Sequence, residues 1–167
     1  MEIVLENVKL STYDNSNVYH KNLLYELENN SKSIYIHDIG ERLVNTKNKK
    51  TFPFGMGFVV SVNGVFVGYL YLSTKLKDEV FLEYSIIKEF RGKKFGKLLL
   101  KEVSDFLMNN CNVKSIVLDI DPSNIPSIMT AISAFYIEDE DEYLERNMNG
   151  KILYRIDNAN YVNKRKK

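Results

Sequence analysis

The stretch Phe90-Arg91-Gly92-Lys93-Lys94-Phe95-Gly96-Lys97 constrains the fold of this chain more than any other. It joins a strand-like run, Glu79 to Ile87, to a helix-like run, Lys97 to Asn109. Two glycines and three lysines fall where the backbone must pass from one periodicity to the other. A helix N-terminus leaves its first N–H groups without intrahelical partners and carries partial positive charge, so it suits an anion such as a pyrophosphate. Glycines remove the side chains that would hold the backbone away from that anion. The plainer alternative is an ordinary strand-to-helix connection with solvated lysines.

The elements around this stretch follow from apolar spacing. Ile3 to Leu10 reads as a first strand, with Ile3, Leu5, Val8 and Leu10 apolar. His20 to Leu27 carries Leu23, Leu24 and Leu27 at helical spacing and should end near Asn29-Asn30. Ser33 to Val44 reads as a second helix, with Ile36, Ile39, Leu43 and Val44 on one face, and Lys47 to Lys50 as a basic loop. Phe58 to Val62 and Val65 to Leu72 are β-branched and aromatic, and Asn63-Gly64 between them favours the positive φ angles of a type I′ hairpin turn. Lys97 to Met108 places Leu99, Leu100, Val103, Phe106 and Leu107 on one side of a helix. Val113 to Ile120 suits a buried strand. Ser127 to Phe135 reads as a helix, with Pro126 suited to a first turn. Tyr143 to Asn147 and Ile152 to Ile156 flank Asn149-Gly150, a second hairpin signal. The order implies an α/β fold with a mixed, mostly antiparallel central sheet flanked by helices.

Length and composition narrow the class. With 167 residues and 44% hydrophobic content, the chain can bury a core as one domain over residues 1–157, followed by a basic polar tail at 158–167. A net charge of +1 gives no global pull toward nucleic acid or a membrane surface. The one cysteine, Cys111, excludes an internal disulfide and a multi-cysteine metal site, and fits a reducing cytoplasm. Met1-Glu2-Ile3 lacks the basic start and apolar core of a signal peptide. No apolar run approaches the ~20 residues of a membrane span. A soluble, cytoplasmic protein is the expectation.

The element order, over nearly the whole chain, resembles the GNAT superfamily of N-acetyltransferases. The specific part is the family's Arg/Gln-x-x-Gly-x-Gly/Ala loop after a strand. Arg91-Gly92-Lys93-Lys94-Phe95-Gly96 matches at the first and last positions, Gly92 matches the common Arg-Gly form, and Lys94 replaces the middle glycine. The resemblance implies acetyl-CoA as co-substrate, with no metal. Its pyrophosphate would lie on the N–H groups of Arg91, Gly92, Lys93, Lys94, Phe95 and Gly96, with Lys97 a further charge partner. Its pantetheine arm would pair with the strand end at Tyr84, Ser85 and Ile86. Asn124, just beyond Val113 to Ile120, fits the family's pantetheine-positioning asparagine. Seven residues on, where the family commonly has a tyrosine acid, stands Ala131. The implied activity is direct acetyl transfer to a primary amine of a small molecule or peptide. The other reading is a non-catalytic acyl-CoA-binding regulatory module on the same fold. Related proteins are often dimers, so a homodimer belongs among the expected assemblies.

Candidate chemistry is sparse. Glu83, on the strand before the loop, is the candidate general base, acting through water; its competing reading is a charge on the strand's solvent face. Alternation puts Glu83 and Ser85 on one face, and Tyr84 and Ile86 on the other. Tyr136 and Tyr143 are alternatives for the acid, and neither is assigned. His20 and His37 read as packing or surface residues, and Cys111 as a structural thiol. The acidic run Glu138-Asp139-Glu140-Asp141-Glu142, with Glu145, would favour a cationic amine if it bordered the acceptor entrance, and is otherwise a solvated loop. Lys94, having a side chain, is expected at an ordinary helical or bridge conformation rather than a left-handed one.

Overall fold

The computed structural model describes residues 2–30, 55–73, 78–111, 113–135, 137, 144–146 and 152–157. The expected helix over Ser33 to Val44, the loop at Lys47 to Lys50, the turn at Asn149-Gly150, the acidic run, His37, Tyr136, Tyr143 and the basic tail lie outside the described residues. The chain divides into two compact units. The first holds residues 1–73 and 84–96, and the second holds residues 74–83 and 97–167.

In the first unit the strands run in the order β1 (Glu2–Val4), β2 (Val8–Ser11), β3 (Met56–Val62), β4 (Val65–Ser73) and the end of β5 (Glu79–Ile86). β1–β2, β2–β3 and β3–β4 pair antiparallel. The single strand expected over Ile3 to Leu10 is therefore two. The apolar phase shifts across the break, from Ile3 and Leu5 to Val8 and Leu10, and Glu6 and Asn7 form the tip of a hairpin that pairs Glu2 with Ser11. The Leu5 N–H donates to the Val8 carbonyl at 2.8 Å, and the Asn7 carbonyl accepts from the Asn63 N–H at 3.1 Å. The turn between β3 and β4 is the expected one: Asn63 and Gly64 have φ of +49° and +83°.

Helix α1 (Val18–Asn30) starts two residues before the expected His20 because Asn17 caps it. The Asn17 Oδ1 accepts from the Tyr19 N–H at 2.9 Å and the His20 N–H at 3.3 Å. His20, Leu23 and Leu27 are its buried members, at spacings of three and four. Leu23 and Leu27 join Tyr13, Val59, Tyr69 and Ile87 in one apolar cluster, with Leu24, Phe66, Tyr71 and Phe90 packed around it. Burying a leucine of this kind is worth about 1.5–3 kcal/mol.

In the second unit the order is the start of β5, β6 (Ser115–Ile120), β8 (Ile152–Asp157) and β7 (Leu144–Arg146). β5 pairs parallel with β6, and β8 pairs antiparallel with both β6 and β7. The parallel ladder covers only Glu79–Phe81 against Ser115–Val117. An ion pair between Arg155 and Glu79 and a 2.7 Å hydrogen bond from the Ser115 hydroxyl to Asp157 tie the three strands together. Helix α2 (Phe95–Asn110) buries Leu99, Leu100, Val103, Ser104, Leu107 and Met108. Helix α3 (Ile125–Ala134) buries Ile128, Ala131 and Ala134. The fold is thus α/β, with a mixed, mostly antiparallel sheet and helices, as the spacing indicates.

Candidate functional site

The end of β5 places the conspicuous loop. Ile86 is buried, Tyr84 and Ser85 are half-buried, and a short 3-10 turn, Lys88–Phe90, follows. The Phe90 N–H donates to the Ile87 carbonyl at 3.0 Å and the Arg91 N–H to the Lys88 carbonyl at 3.2 Å. Arg91 then reaches back: its Nε donates to the Ile86 carbonyl at 2.9 Å. That bond occupies one of the guanidinium's five N–H donors and fixes the plane of the rest. Phe90 and Phe95 meet edge to face at 5.9 Å, and the Lys93 ammonium lies 5.4 Å from the centre of the Phe90 ring. The turn is therefore braced from within by one arginine and two aromatic rings. The pairing of Phe90 with Phe95 has no sequence signal, because a spacing of five across a turn is neither helical nor strand-like.

Gly92 has φ of +77°, and a Cβ placed there would meet nothing within 4 Å. Its requirement for glycine is thus torsional rather than steric. Lys94 has φ of +65°, which corrects the expectation of an ordinary helical or bridge conformation. The backbone follows the path that a glycine would take at the middle position, although a lysine occupies it. The side chain is exposed, so only local strain opposes this, roughly 1–2 kcal/mol for an L-residue in the left-handed region. Lys93 and Phe95, between and after, have negative φ. Alternating φ signs turn successive N–H groups to one side, as in anion-binding backbone nests.

The helix begins earlier than the apolar spacing indicates. Phe95 and Gly96 already belong to α2, so the last residues of the motif are themselves the first helical turn. Their N–H groups are among the four that a helix leaves without intrahelical partners. Nest and helix start are therefore continuous in the chain. Arg91, Gly92, Lys93 and Lys94 are exposed, and Phe95, Gly96 and Lys97 half-buried.

The remaining candidates are placed separately. Glu83 is exposed on β5, whose buried apolar members Val80, Leu82 and Ile86 alternate with it. Asn124 caps α3, its Oδ1 accepting from the Ser127 N–H at 3.3 Å. Asp121 accepts from both the N–H and the hydroxyl of Ser123, which shapes the approach to that cap. Ala131 is fully buried on α3. His20 is buried, its Nδ1 accepting from the Asp14 N–H at 3.0 Å, with Phe66 edge-on at 4.9 Å and Tyr13 at 6.0 Å. Burial pushes its pKa down, against the opposing pull of Asp14. These contacts match a packing role. Burial also raises the pKa of the Cys111 thiol, as expected of a structural cysteine and not of a nucleophile.

Comparison with known proteins places the chain. The acetyltransferase (GNAT) family model matches residues 21–131. No curated protein sequence is significantly similar. Among solved structures, the ribosomal-protein-S5-alanine acetyltransferase of Vibrio fischeri is 16% identical, with a TM-score of 0.69 over 96% of this chain and 98% of that one. A GNAT-family acetyltransferase from Bacillus anthracis is 12% identical, with a TM-score of 0.67 over 94% and 98%. Mycobacterium smegmatis RimJ, in complex with CoA-disulfide, is 13% identical, with a TM-score of 0.64 over 95% and 87%. At these identities the likeness is one of fold, and the family model supplies the membership. With its motif forming a left-handed, glycine-bearing turn into the first turn of a helix, this chain belongs to the GNAT acetyltransferase family.

Proposed function

We propose that the protein is an acetyl-CoA-dependent N-acetyltransferase that moves an acetyl group directly to a primary amine. The observation that supports it most is the turn from Arg91 to Gly96, with positive φ at Gly92 and Lys94 and α2 starting at Phe95. These residues fit a pyrophosphate: the N–H groups from Gly92 to Lys97 hold it, and the Arg91 fork and the ammonium groups of Lys93, Lys94 and Lys97 neutralise it. The backbone of Ser85 and Ile86 holds the extended arm beside β5. Bound acetyl-CoA supplies the acyl group as an activated thioester. Holding that thioester and the amine together provides much of the rate gain. Glu83 accepts the proton of the incoming ammonium through water, adding ~10²–10⁴-fold; as the C–N bond forms the C–S bond breaks, and a proton from the product nitrogen or from water passes to the CoA thiolate.

The acceptor is a small-molecule or peptide amine, and the acidic run at 138–142 favours a cationic one. Nothing in the reading calls for metal, nucleic acid or membrane, and the working compartment is the cytoplasm. Thiol release from acetyl-CoA across a panel of polyamines, aminoglycosides and peptide N-termini tests the proposal. Turnover with at least one amine is expected, and its loss in Glu83→Gln, with CoA binding kept, identifies the base. A second reading, an acyl-CoA-binding regulatory module, is favoured by Ala131, buried where the family commonly has a tyrosine. CoA binding without thiol release on any amine supports that reading instead.

A further inference from the structure

Gly68 lies in the middle of β4, opposite Val60 of β3. The ladder slips there: Val60 faces Gly68, yet Ser61 faces Phe66, so Val67 is an extra residue in β4. A bulge of this kind bends its strand and re-aims what lies beside it. The neighbour here is the end of β5, and the Val67 carbonyl accepts from the Ile87 N–H at 2.9 Å. A Cβ built on Gly68 would stand 2.1 Å from the Ser85 carbonyl oxygen, 3.1 Å from its carbon and 3.2 Å from the Ile86 Cα. All three are backbone atoms, so no rotamer change relieves the overlap. Gly68 has no positive φ, so the position calls for glycine because of space, not torsion.

We propose that Gly68 is a positioning residue for the acyl-donor site. Its bare backbone lets the Ser85 carbonyl lie against β4 and so sets where β5 delivers Ile86. The connection onward is short. The Ile86 carbonyl receives the Arg91 Nε at 2.9 Å, and the Ile87 carbonyl receives the Phe90 N–H at 3.0 Å. Phe90 braces Phe95, the first residue of α2. Adding one methyl group at Gly68 therefore displaces the point from which the whole Arg91–Gly96 turn departs. This inference rests on the reading of that turn as the CoA site.

The test is Gly68→Ala in the full chain, with CoA affinity measured by calorimetry. About tenfold weaker CoA binding or more is expected, the equivalent of about 1.4 kcal/mol, because relieving a 2.1 Å contact with backbone shifts the strand end that presents Ser85 and Ile86. With an amine that supports turnover, the KM for acetyl-CoA rises by the same factor while kcat at saturating donor stays within about threefold. The control is Val67→Ala, which removes buried carbon from the same bulge without adding an atom toward Ser85, and it should keep wild-type CoA affinity. Equal losses in both variants, or wild-type affinity in Gly68→Ala, overturn the inference while leaving the donor site standing. If the wild-type protein binds no CoA, the donor site and this inference fall together. Should Gly68→Ala not fold, hydrogen exchange on the wild type decides. CoA must then slow the Ile87 amide together with those of Phe95 and Gly96, and leave the Leu10 amide unchanged; an Ile87 amide indifferent to CoA overturns the inference.

Discussion

Replacing Lys94 with glycine should stabilise this protein, an unusual outcome for a substitution to glycine. The reason is torsional. Lys94 has φ of +65° with an exposed side chain, so the substitution removes left-handed strain of roughly 1–2 kcal/mol without deleting buried contact. Against this stands the greater freedom of glycine in the unfolded chain, about 0.4–1 kcal/mol. The balance is a gain of about 0.5–1 kcal/mol, or about 1–4 °C in Tm for a chain of this size. Gly92→Ala is the mirror image. Its φ is +77° and its Cβ would meet nothing within 4 Å, so the loss is torsional alone and should be about 1 kcal/mol. Paired urea titrations give both values from shifts in midpoint at constant slope. A destabilised Lys94→Gly variant, or a neutral Gly92→Ala variant, would refute the assignment of left-handed geometry to this turn.

Other consequences follow from single contacts. His20 is held neutral by burial while its Nδ1 accepts the Asp14 N–H, so its folded pKa lies below the ordinary 6.5. The unfolded chain then binds the proton first: this contribution is complete above pH 6.5 and declines as pH falls from 6.5 toward the folded value. Urea midpoints at pH 7.5 and 5.5 should show a drop that is smaller in His20→Gln. Arg155→Met leaves Glu79 without its ion-pair partner, and should cost about 2 kcal/mol, below the 3–5 of a fully buried pair because Arg155 keeps some solvent contact. A change under 0.5 kcal/mol in denaturant midpoint would argue against that clamp. Asn17→Ala removes the α1 cap and should cost about 1 kcal/mol, with faster amide exchange at Tyr19 and His20.

What the sequence reveals depends on whether the cause is local. The Asn63-Gly64 hairpin and the apolar face of α2 are read correctly because a dipeptide and a spacing of three to four residues suffice to specify them. The turn into α2 is legible in part for the same reason: Gly92 marks one of its two left-handed positions. The β1–β2 break has one signal, the shift of apolar phase between Leu5 and Val8, but Glu6 and Asn7 make a tip that neither glycine nor proline announces. Asn17 was legible in principle, as an asparagine just ahead of an apolar periodic run. The conformation of Lys94 departs from its side-chain preference because Gly92 on one side and α2 on the other impose the backbone path. Gly68 needs glycine because of a strand distant in sequence, and no local pattern carries that information. Of the chemistry, the exposure of Glu83 accords with either of its two readings, and Ala131, where the family commonly has a tyrosine, is buried.

The proposed donor site, in which the turn from Arg91 to Gly96 and the first turn of α2 hold the pyrophosphate of acetyl-CoA, is open to titration of acetyl-CoA into ¹⁵N-labelled protein, followed amide by amide. Saturable binding at one site per chain is expected, with the largest shifts at Gly92 and Lys94 through Lys97 and smaller ones at Ser85 and Ile86. No shifts at millimolar acetyl-CoA, or shifts centred elsewhere, such as on the β1–β2 turn, would contradict it.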